Sequence, residues 1–404
     1  MTDAAPPVRL REGDDWSEWQ LTPEQIVALD DSEHVQVRPS RRSGWCRLKA
    51  RDRVGAARVG RGSAQVRLSV KPKVTVDRLL YLLGYAEEKW LYDGGPVEAA
   101  TRTDLLPAVA RAYTRAAQRA LRQGVLLGYR ETEATQPVLR GRLRTAAQMS
   151  RRPGLVLPLE VAYDEHTADI PENQLLLGAA RRLLRVPGVD GPQRTALHAL
   201  AARLDGVVPP VPGAPLPRWR RDRLNVRYHR PLALAELILG GASYELEDGR
   251  SVTVDGVMFR MWQVYEAFLA RALGEALTRR AGGMYKAQDR DHFLATPRKY
   301  VLEPDLVHYL PLASGGRRAA AVVDAKYKRG FQRDDLYQML AYCVRLGLTD
   351  GHLVYAAGRA NVVRVPVVDS EVRLHRHVLD LSRPRRELEQ SIEDLAQAVL
   401  EPRT

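Results

Sequence analysis

Residues 299–327 read KYVLEPDLVHYLPLASGGRRAAAVVDAKY. Apolar and β-branched residues dominate 299–307 and 319–327, and each segment is predicted to be a strand. Successive side chains of a strand point to opposite faces, so Asp324 and Lys326 share one. The only Pro-Asp in the chain, Pro304-Asp305, lies 19 residues before Asp324, a spacing that suits a hairpin between neighbouring strands. An Asp at the end of one strand, with Asp-x-Lys closing its neighbour, is what a metal-dependent phosphodiesterase needs. Two carboxylates offer hard oxygen ligands to Mg²⁺, with Mn²⁺ as a substitute. The lysine orients or helps deprotonate the attacking water, or offsets charge on the phosphorane.

Acid-x-Lys alone is a cheap pattern, and it recurs in Glu87-Glu88-Lys89. That copy falls on a predicted helix with no strand or proline-acid pair before it, and is set aside. For Asp324-Ala325-Lys326 the competing reading is a surface ion pair at a strand end. Two features favour a site. Gln338 and Tyr342 are four apart on a helix predicted over about 335–346, hence on one face; alternatively they form the polar edge of a core helix. A long amphipathic helix is predicted from Val257 to about Arg280, with apolar residues at 261, 265, 268, 269, 272 and 276 and a stop at Gly282-Gly283. Glu266 lies beside that stripe and is either a third carboxylate or a solvated flank. The candidate catalytic set is therefore Asp305, Asp324, Lys326, Glu266, Gln338 and Tyr342, with Asp305, Asp324 and Glu266 as metal ligands.

The chain has 404 residues, enough for two or three domains, and its 45% hydrophobic and 27% charged residues exclude general disorder. Two cysteines, Cys46 and Cys343, exclude a disulfide framework and a four-thiolate zinc site. The first twenty residues hold no apolar run, and no stretch reaches the ~18 apolar residues of a membrane span. A cytoplasmic protein without a membrane partner is expected. Lys+Arg 62 against Asp+Glu 49 gives a net charge of +13, for which nucleic acid is the default partner. Only 8 of the 62 basic residues are lysine, as an arginine-rich coding bias would produce, so charge alone decides little. A lysine in such a chain marks a position needing a compact ammonium rather than a planar fork.

Upstream, residues 1–103 read as a β-rich domain. Trp45–Leu48 and Ala64–Val70 alternate apolar with polar, and Val76–Trp90 turns helical with Leu79, Leu80, Leu83 and Tyr85 on one face. Residues 104–245 are mainly helical. Asp104 caps a helix running to Gly124, whose arginines at 111, 115, 119 and 122 form a solvated stripe or, alternatively, a phosphate-tracking face. A strand-like segment, 137–143, precedes a helix over about 171–184. The proline-rich 207–218 then leads into Arg218, Trp219, Arg220, Arg221, Arg223, Arg227, Tyr228 and Arg230. Cations interleaved with rings resemble a nucleic-acid contact surface; a basic loop packing its aromatics inward fits equally. Residues 246–404 form an α/β domain whose last strands include 352–355 and 361–367. The whole is an α+β multidomain chain.

Glu266, Pro304-Asp305, Asp324-Ala325-Lys326 and Gln338-x-x-x-Tyr342 together resemble the PD-(D/E)xK restriction-endonuclease-like superfamily. Val70-Lys71-Pro72-Lys73-Val74, Leu82-Leu83-Gly84-Tyr85, Leu139-Arg140-Gly141-Arg142-Leu143, and Tyr163-Asp164-Glu165 leading into Glu172-Asn173-Gln174-Leu175-Leu176 resemble the McrC family, nuclease subunits of modification-dependent (type IV) restriction systems. Met261–Phe268 resembles that family's Glu-bearing helix, and the likeness runs from about residue 60 to 360. It implies cleavage of double-stranded DNA carrying a modified cytosine, with a McrB-like hexameric AAA+ GTPase that the subunit docks to and stimulates. No Gly-x-x-x-x-Gly-Lys-[Ser/Thr] occurs, so the motor is another chain. Residues 1–100 hold no candidate chemistry and are expected to carry the docking surface, leaving 250–404 to suffice for metal binding. Two alternatives stand beside this one: a stand-alone nuclease of repair or replication, and a non-cutting adaptor between DNA and motor.

Lysine scarcity makes Lys326 testable. If it only neutralised phosphate, arginine would serve; if it positions or deprotonates water, a guanidinium serves poorly, being broad and holding its proton up to about pH 12. Lys326→Arg is expected to lose at least ~10²-fold in cleavage rate, while a mild loss would reduce the lysine to a charge.

Overall fold

The alternation seen in the sequence becomes alternating burial. Trp45–Ala50 buries Cys46, Leu48 and Ala50, and Val66–Lys71 buries Val66, Leu68 and Val70. The computed structural model describes residues 7–75, 78–79, 81–82, 105–186, 189, 191–211, 214–240, 254–296, 299–328, 332–357 and 363–401. Of the predicted 76–90 helix, Arg78, Leu79, Tyr81 and Leu82 are helical; Leu80, Leu83, Tyr85 and Lys89 lie outside the described residues, as does Asp104.

Two sheets build the N-terminal part. Trp45–Ala50 lies between Ser17–Gln20 and Val35–Pro39, antiparallel to both. The second sheet runs Val8–Arg11, Val66–Lys71, Arg53–Val59, and ends with a strand from far downstream, Val254–Arg260. The predicted helix therefore does not begin at Val257: residues 254–260 pair antiparallel with Arg53–Val59, and the helix starts at Met261. Glycines enforce that pairing. A Cβ on Gly55, at φ +144, would sit 2.0 Å from the Val257 carbonyl oxygen, and one on Gly256 would sit 2.3 Å from the Ala57 Cα. The segment expected to open the C-terminal domain at 246 thus completes the N-terminal sheet, and residues 250–404 alone would leave this strand without its partner.

The middle region is largely helical, with Leu105–Leu121, Pro171–Arg185, Gly191–Arg203 and Val226–Gly240 packed on one another. Arg115, Arg119 and Arg122 are exposed and Arg111 is half-buried, as a solvated stripe requires. A three-stranded sheet, in the order Gly128–Gln136, Leu159–Thr167, Arg142–Leu143, is inserted between the first two of these helices in the chain. Only its last two-residue strand falls in the predicted 137–143.

The C-terminal part is a six-stranded mixed sheet in the order Met284–Ala287, Leu306–Pro311, Arg317–Lys326, Asp350–Tyr355, Arg373–Val378, Val363–Pro366. The predicted strand over 299–307 is split. Pro304 has no N–H to donate, so Lys299–Leu302 pairs away with His292–Ala295 while Leu306–Pro311 joins the main sheet. The helices Met261–Ala281 and Arg385–Leu400 stack on one face, and Arg333–Leu346 covers the other. Val323, Ala325 and Val354 belong to the core on the first side; Val322, Leu353 and Tyr355 belong to that on the second, with Met339 and Cys343. Among the described residues no helix is long and apolar enough to cross a membrane.

Because backbone, not a flexible side chain, blocks a Cβ at Gly55, Gly55→Ala is expected to destabilise the chain by roughly 2–4 kcal/mol. Urea unfolding reads this directly; an unchanged midpoint would mean the two strands part easily.

Candidate active site

Asp305 lies just past the proline break, at the start of Leu306–Pro311. Its backbone is held from the side. Met284–Ala287 runs antiparallel to that strand, and beyond its end Gln288 N–H donates to the Asp305 carbonyl (3.1 Å) and Asp289 N–H to the Pro304 carbonyl (3.2 Å). Asp289 is fully buried, accepts a hydrogen bond from the Tyr309 hydroxyl (2.6 Å) and pairs with Lys286 (2.7 Å). The Asp305 side chain reaches across to the next strand, where its Oδ2 accepts the Ala325 N–H at 2.7 Å. That bond brings Asp305 beside Asp324 and Lys326, as the spacing predicted, although Asp305 precedes a strand instead of ending one.

Asp324 is 2% exposed, and the Lys326 ammonium touches its Oδ2. Asp305 is tied to the residue between Asp324 and Lys326, so each aspartate stands in the other's electrostatic field. Burial, then Asp324, then Glu266 push the Asp305 carboxyl well above the usual carboxylate range. Burial pushes Asp324 up too, against the pull of Lys326. A buried and a half-buried carboxyl in one another's field do not both ionise readily. Glu266 faces the same pair from the Met261–Ala281 helix: burial first, then Asp324, push it up to about 7. Among the described residues no group of three or more His, Cys, Asp or Glu is arranged to hold a metal ion. The expected three-ligand set is therefore an aspartate pair with a third acid in its field.

Lys326 is the hub of a hydrogen-bond chain. It donates to Gln338 Oε1 (2.9 Å), Gln338 Nε2 donates to the Tyr342 hydroxyl (2.8 Å), and that hydroxyl donates to the Glu303 carbonyl (3.1 Å). The chain ends two residues from Asp305. Gln338 thus orients the ammonium, whereas Tyr342, 3% exposed, braces the turn. Burial draws the Lys326 pKa down, but Asp324, Asp305 and Asp335 outweigh it and the pKa is raised.

Asp335 escaped the sequence reading. It lies in the first turn of Arg333–Leu346, 3.9 Å from Lys326, bound by Lys328 (2.8 Å) and by the Tyr355 hydroxyl (2.7 Å). Its signal was the second lysine, Lys328, in a chain that prefers arginine. In the basic segment Arg218, Arg220, Arg221 and Arg223 are exposed. The rings are not available for stacking. Tyr228 is fully buried, which keeps its ring from any base, and its hydroxyl accepts the Leu126 N–H (2.8 Å), while Trp219 donates its indole N–H to Glu236 (2.7 Å). Arg227 bonds the Gln123 and Gly124 carbonyls, and Arg230 is half-buried. The segment enters the Val226–Gly240 helix, and its aromatics pack inward.

A family model for McrBC 5-methylcytosine restriction system components matches residues 48–356. None of the curated proteins compared with the chain matches it. Among solved structures it is similar to a chain from a refined half-complex of the tetradecameric assembly of Thermococcus gammatolerans McrB AAA+ hexamers with bound McrC. The identity is 16%, covering 98% of this chain and 100% of that one, with a TM-score of 0.55. It is also similar to a chain of the Thermococcus gammatolerans McrBC complex solved by cryo-EM, at 20% identity over 67% of this chain and 88% of that one, TM-score 0.41. At such identities the first likeness is one of fold.

Glu266 gives the site a pH signature. The unfolded chain releases this proton near 4.5 and the folded chain near 7, so between those values the folded state binds more protons and its stability falls as pH rises. Glu266→Gln has no such proton. Its melting midpoint relative to the parent is expected to climb between about pH 5 and about pH 8; a gap constant with pH would place Glu266 in solvent.

Proposed function

The chain belongs to the family of McrBC 5-methylcytosine restriction system components, and from that premise we propose that it is the cutting subunit, a Mg²⁺-dependent endonuclease of the PD-(D/E)xK type. Its substrate is double-stranded DNA carrying a modified cytosine, and it works with a McrB-like AAA+ GTPase hexamer that it stimulates. The observation that carries this reading is the meeting of Asp305, Asp324 and Lys326 at adjoining strand ends, tied by the Ala325 N–H. The fold likeness to a chain from an assembly of McrB AAA+ hexamers with bound McrC supports the choice of partner.

The donor set fits the metal. Mg²⁺ is held through one or two carboxylates, completing its shell with waters and substrate phosphate oxygens, and Asp305 and Asp324 are such a pair. When bound, the ion lowers the pKa of a water and offsets phosphate charge. The protein residues do the rest. Lys326 holds its proton at Nζ, pinned by Gln338 Oε1 and Asp324, where it orients the attacking water and meets charge developing on phosphate. Glu266, near neutrality at about 7, sits beside the pair as a group able to take up a proton. Tyr342 and Asp289 keep the Pro304-Asp305 turn against the strand. The exposed arginines at 218, 220, 221 and 223 are suited to DNA phosphates.

Asp324→Ala is expected to abolish cleavage of cytosine-methylated plasmid in Mg²⁺ with the partner present, while melting midpoint and stimulation of the partner's GTP hydrolysis stay as in the parent. A folded Asp324→Ala chain that cuts at full rate would end the nuclease assignment. Cutting by the parent without any partner would instead favour a stand-alone nuclease.

A further inference from the structure

The residue after Lys326 is held by the other end of the molecule. Tyr327 donates its hydroxyl to Glu12 Oε2 (3.2 Å), 315 positions away in sequence. The Lys73 ammonium lies over the Tyr327 ring, 3.8 Å from its centroid, and 3.7 Å from Glu12 Oε1, while Lys73 N–H donates to Glu12 Oε2 at 3.3 Å. Glu12 is 7% exposed. It follows Val8–Arg11, and its own N–H donates to the Lys71 carbonyl at 2.8 Å, so Glu12 and Lys73 leave the N-terminal sheet side by side. The Tyr265 ring, one residue before Glu266, also meets the Tyr327 ring, with centroids 5.9 Å apart. The Val70–Val74 stretch, singled out in the sequence but idle in the chemistry, thus has a place beside the site.

We propose that Glu12 and Lys73 are positioning residues for cleavage, acting through Tyr327 to hold the strand end that carries Lys326. The inference rests on the nuclease reading above. Strand pairing of Arg317–Lys326 stops at Lys326, and strand ends fray unless something docks them. A reactive ammonium must be kept to within about half an ångström, and a misplacement of about one ångström costs on the order of 10²-fold in rate. The clamp supplies that docking with a buried carboxylate, a cation over a ring and a phenol hydrogen bond. It also gives the N-terminal sheet a direct hold on the cutting site, so that sheet is more than a handle for the partner.

The test uses the full chain as Glu12→Ala, Glu12→Gln and Tyr327→Phe. Glutamine keeps an acceptor for the tyrosine; Tyr327→Phe keeps the ring under Lys73 and cannot empty the pocket. Hydrogen–deuterium exchange across residues 322–328 is expected to quicken ~10-fold in Glu12→Ala and Tyr327→Phe at an unchanged global midpoint, and to stay near the parent in Glu12→Gln. With the partner, Mg²⁺ and methylated plasmid, kcat is expected to drop ~10-fold in the same two variants without a change in KM or in GTP hydrolysis. Parental exchange in all three overturns the proposal, whether or not the protein cuts. Loss of GTP hydrolysis in step with cleavage also overturns it, making Glu12 part of a docking surface. Failure of the nuclease reading is separate, since it shows as uncut plasmid with the parent itself.

Discussion

One backbone hydrogen bond, from Ala325 N–H to Asp305 Oδ2, imposes the arrangement on which everything else in the site depends. It draws a half-buried carboxyl onto the neighbouring strand between Asp324 and Lys326, and so brings two acids together where water is scarce. Desolvation and like charge both oppose this, and a protein keeps such a group only where its surroundings over-determine it. Here they do. The ammonium of Lys326 meets Asp324, and the chain through Gln338 and Tyr342 returns to the Glu303 carbonyl. Both strand ends are therefore fastened twice, once on each side of the acids. What remains is a group of acids gathered around the Lys326 ammonium, a poor way to stabilise a fold.

The scaffold beneath the site extends well beyond the C-terminal sheet. The helix bearing Glu266 starts where Val254–Arg260 leaves the N-terminal sheet, and Met261 N–H donates to the Asp52 carbonyl at 3.1 Å. Strand and helix are continuous, with no linker to absorb motion. The N-terminal sheet is thereby joined to Glu266 by continuous chain and to the residue after Lys326 by the Tyr327–Glu12 hydrogen bond. Sites on rigid elements hold their geometry better than sites on loops, and this one borrows rigidity from a sheet whose other strands lie some two hundred residues earlier.

Local chemistry was legible in the sequence. A period of two placed Asp324 and Lys326 on one face, a period near four placed Gln338 with Tyr342, and both pairs stand where that arithmetic put them. Glu266 was ambiguous as a flank residue, because the acids whose field raises its pKa stand on strands far from it in sequence. What the sequence concealed was non-local. Nothing local to Val257 announces a strand, because its pairing partner is Arg53–Val59. Pro304 was read as half of a motif, although its missing N–H also splits the strand it sits in. Tyr228 and Trp219 looked like stacking rings, yet their partners, Leu126 and Glu236, lie on elements that no local pattern links to them. Asp335 and Glu12 were missed for the same reason: each acts through a lysine or tyrosine met only in space.

The most direct test of the central claim, that Asp305 and Asp324 form a divalent-metal centre, is a Mn²⁺ titration of the full chain followed by electron paramagnetic resonance. Mn²⁺ shares the preference for carboxylate oxygen and reports its own binding. The parent should bind Mn²⁺, and Asp305→Asn should weaken that binding by at least ~10-fold at an unchanged melting midpoint. Equal affinity in the two proteins, or no bound Mn²⁺ in the parent, would contradict the account.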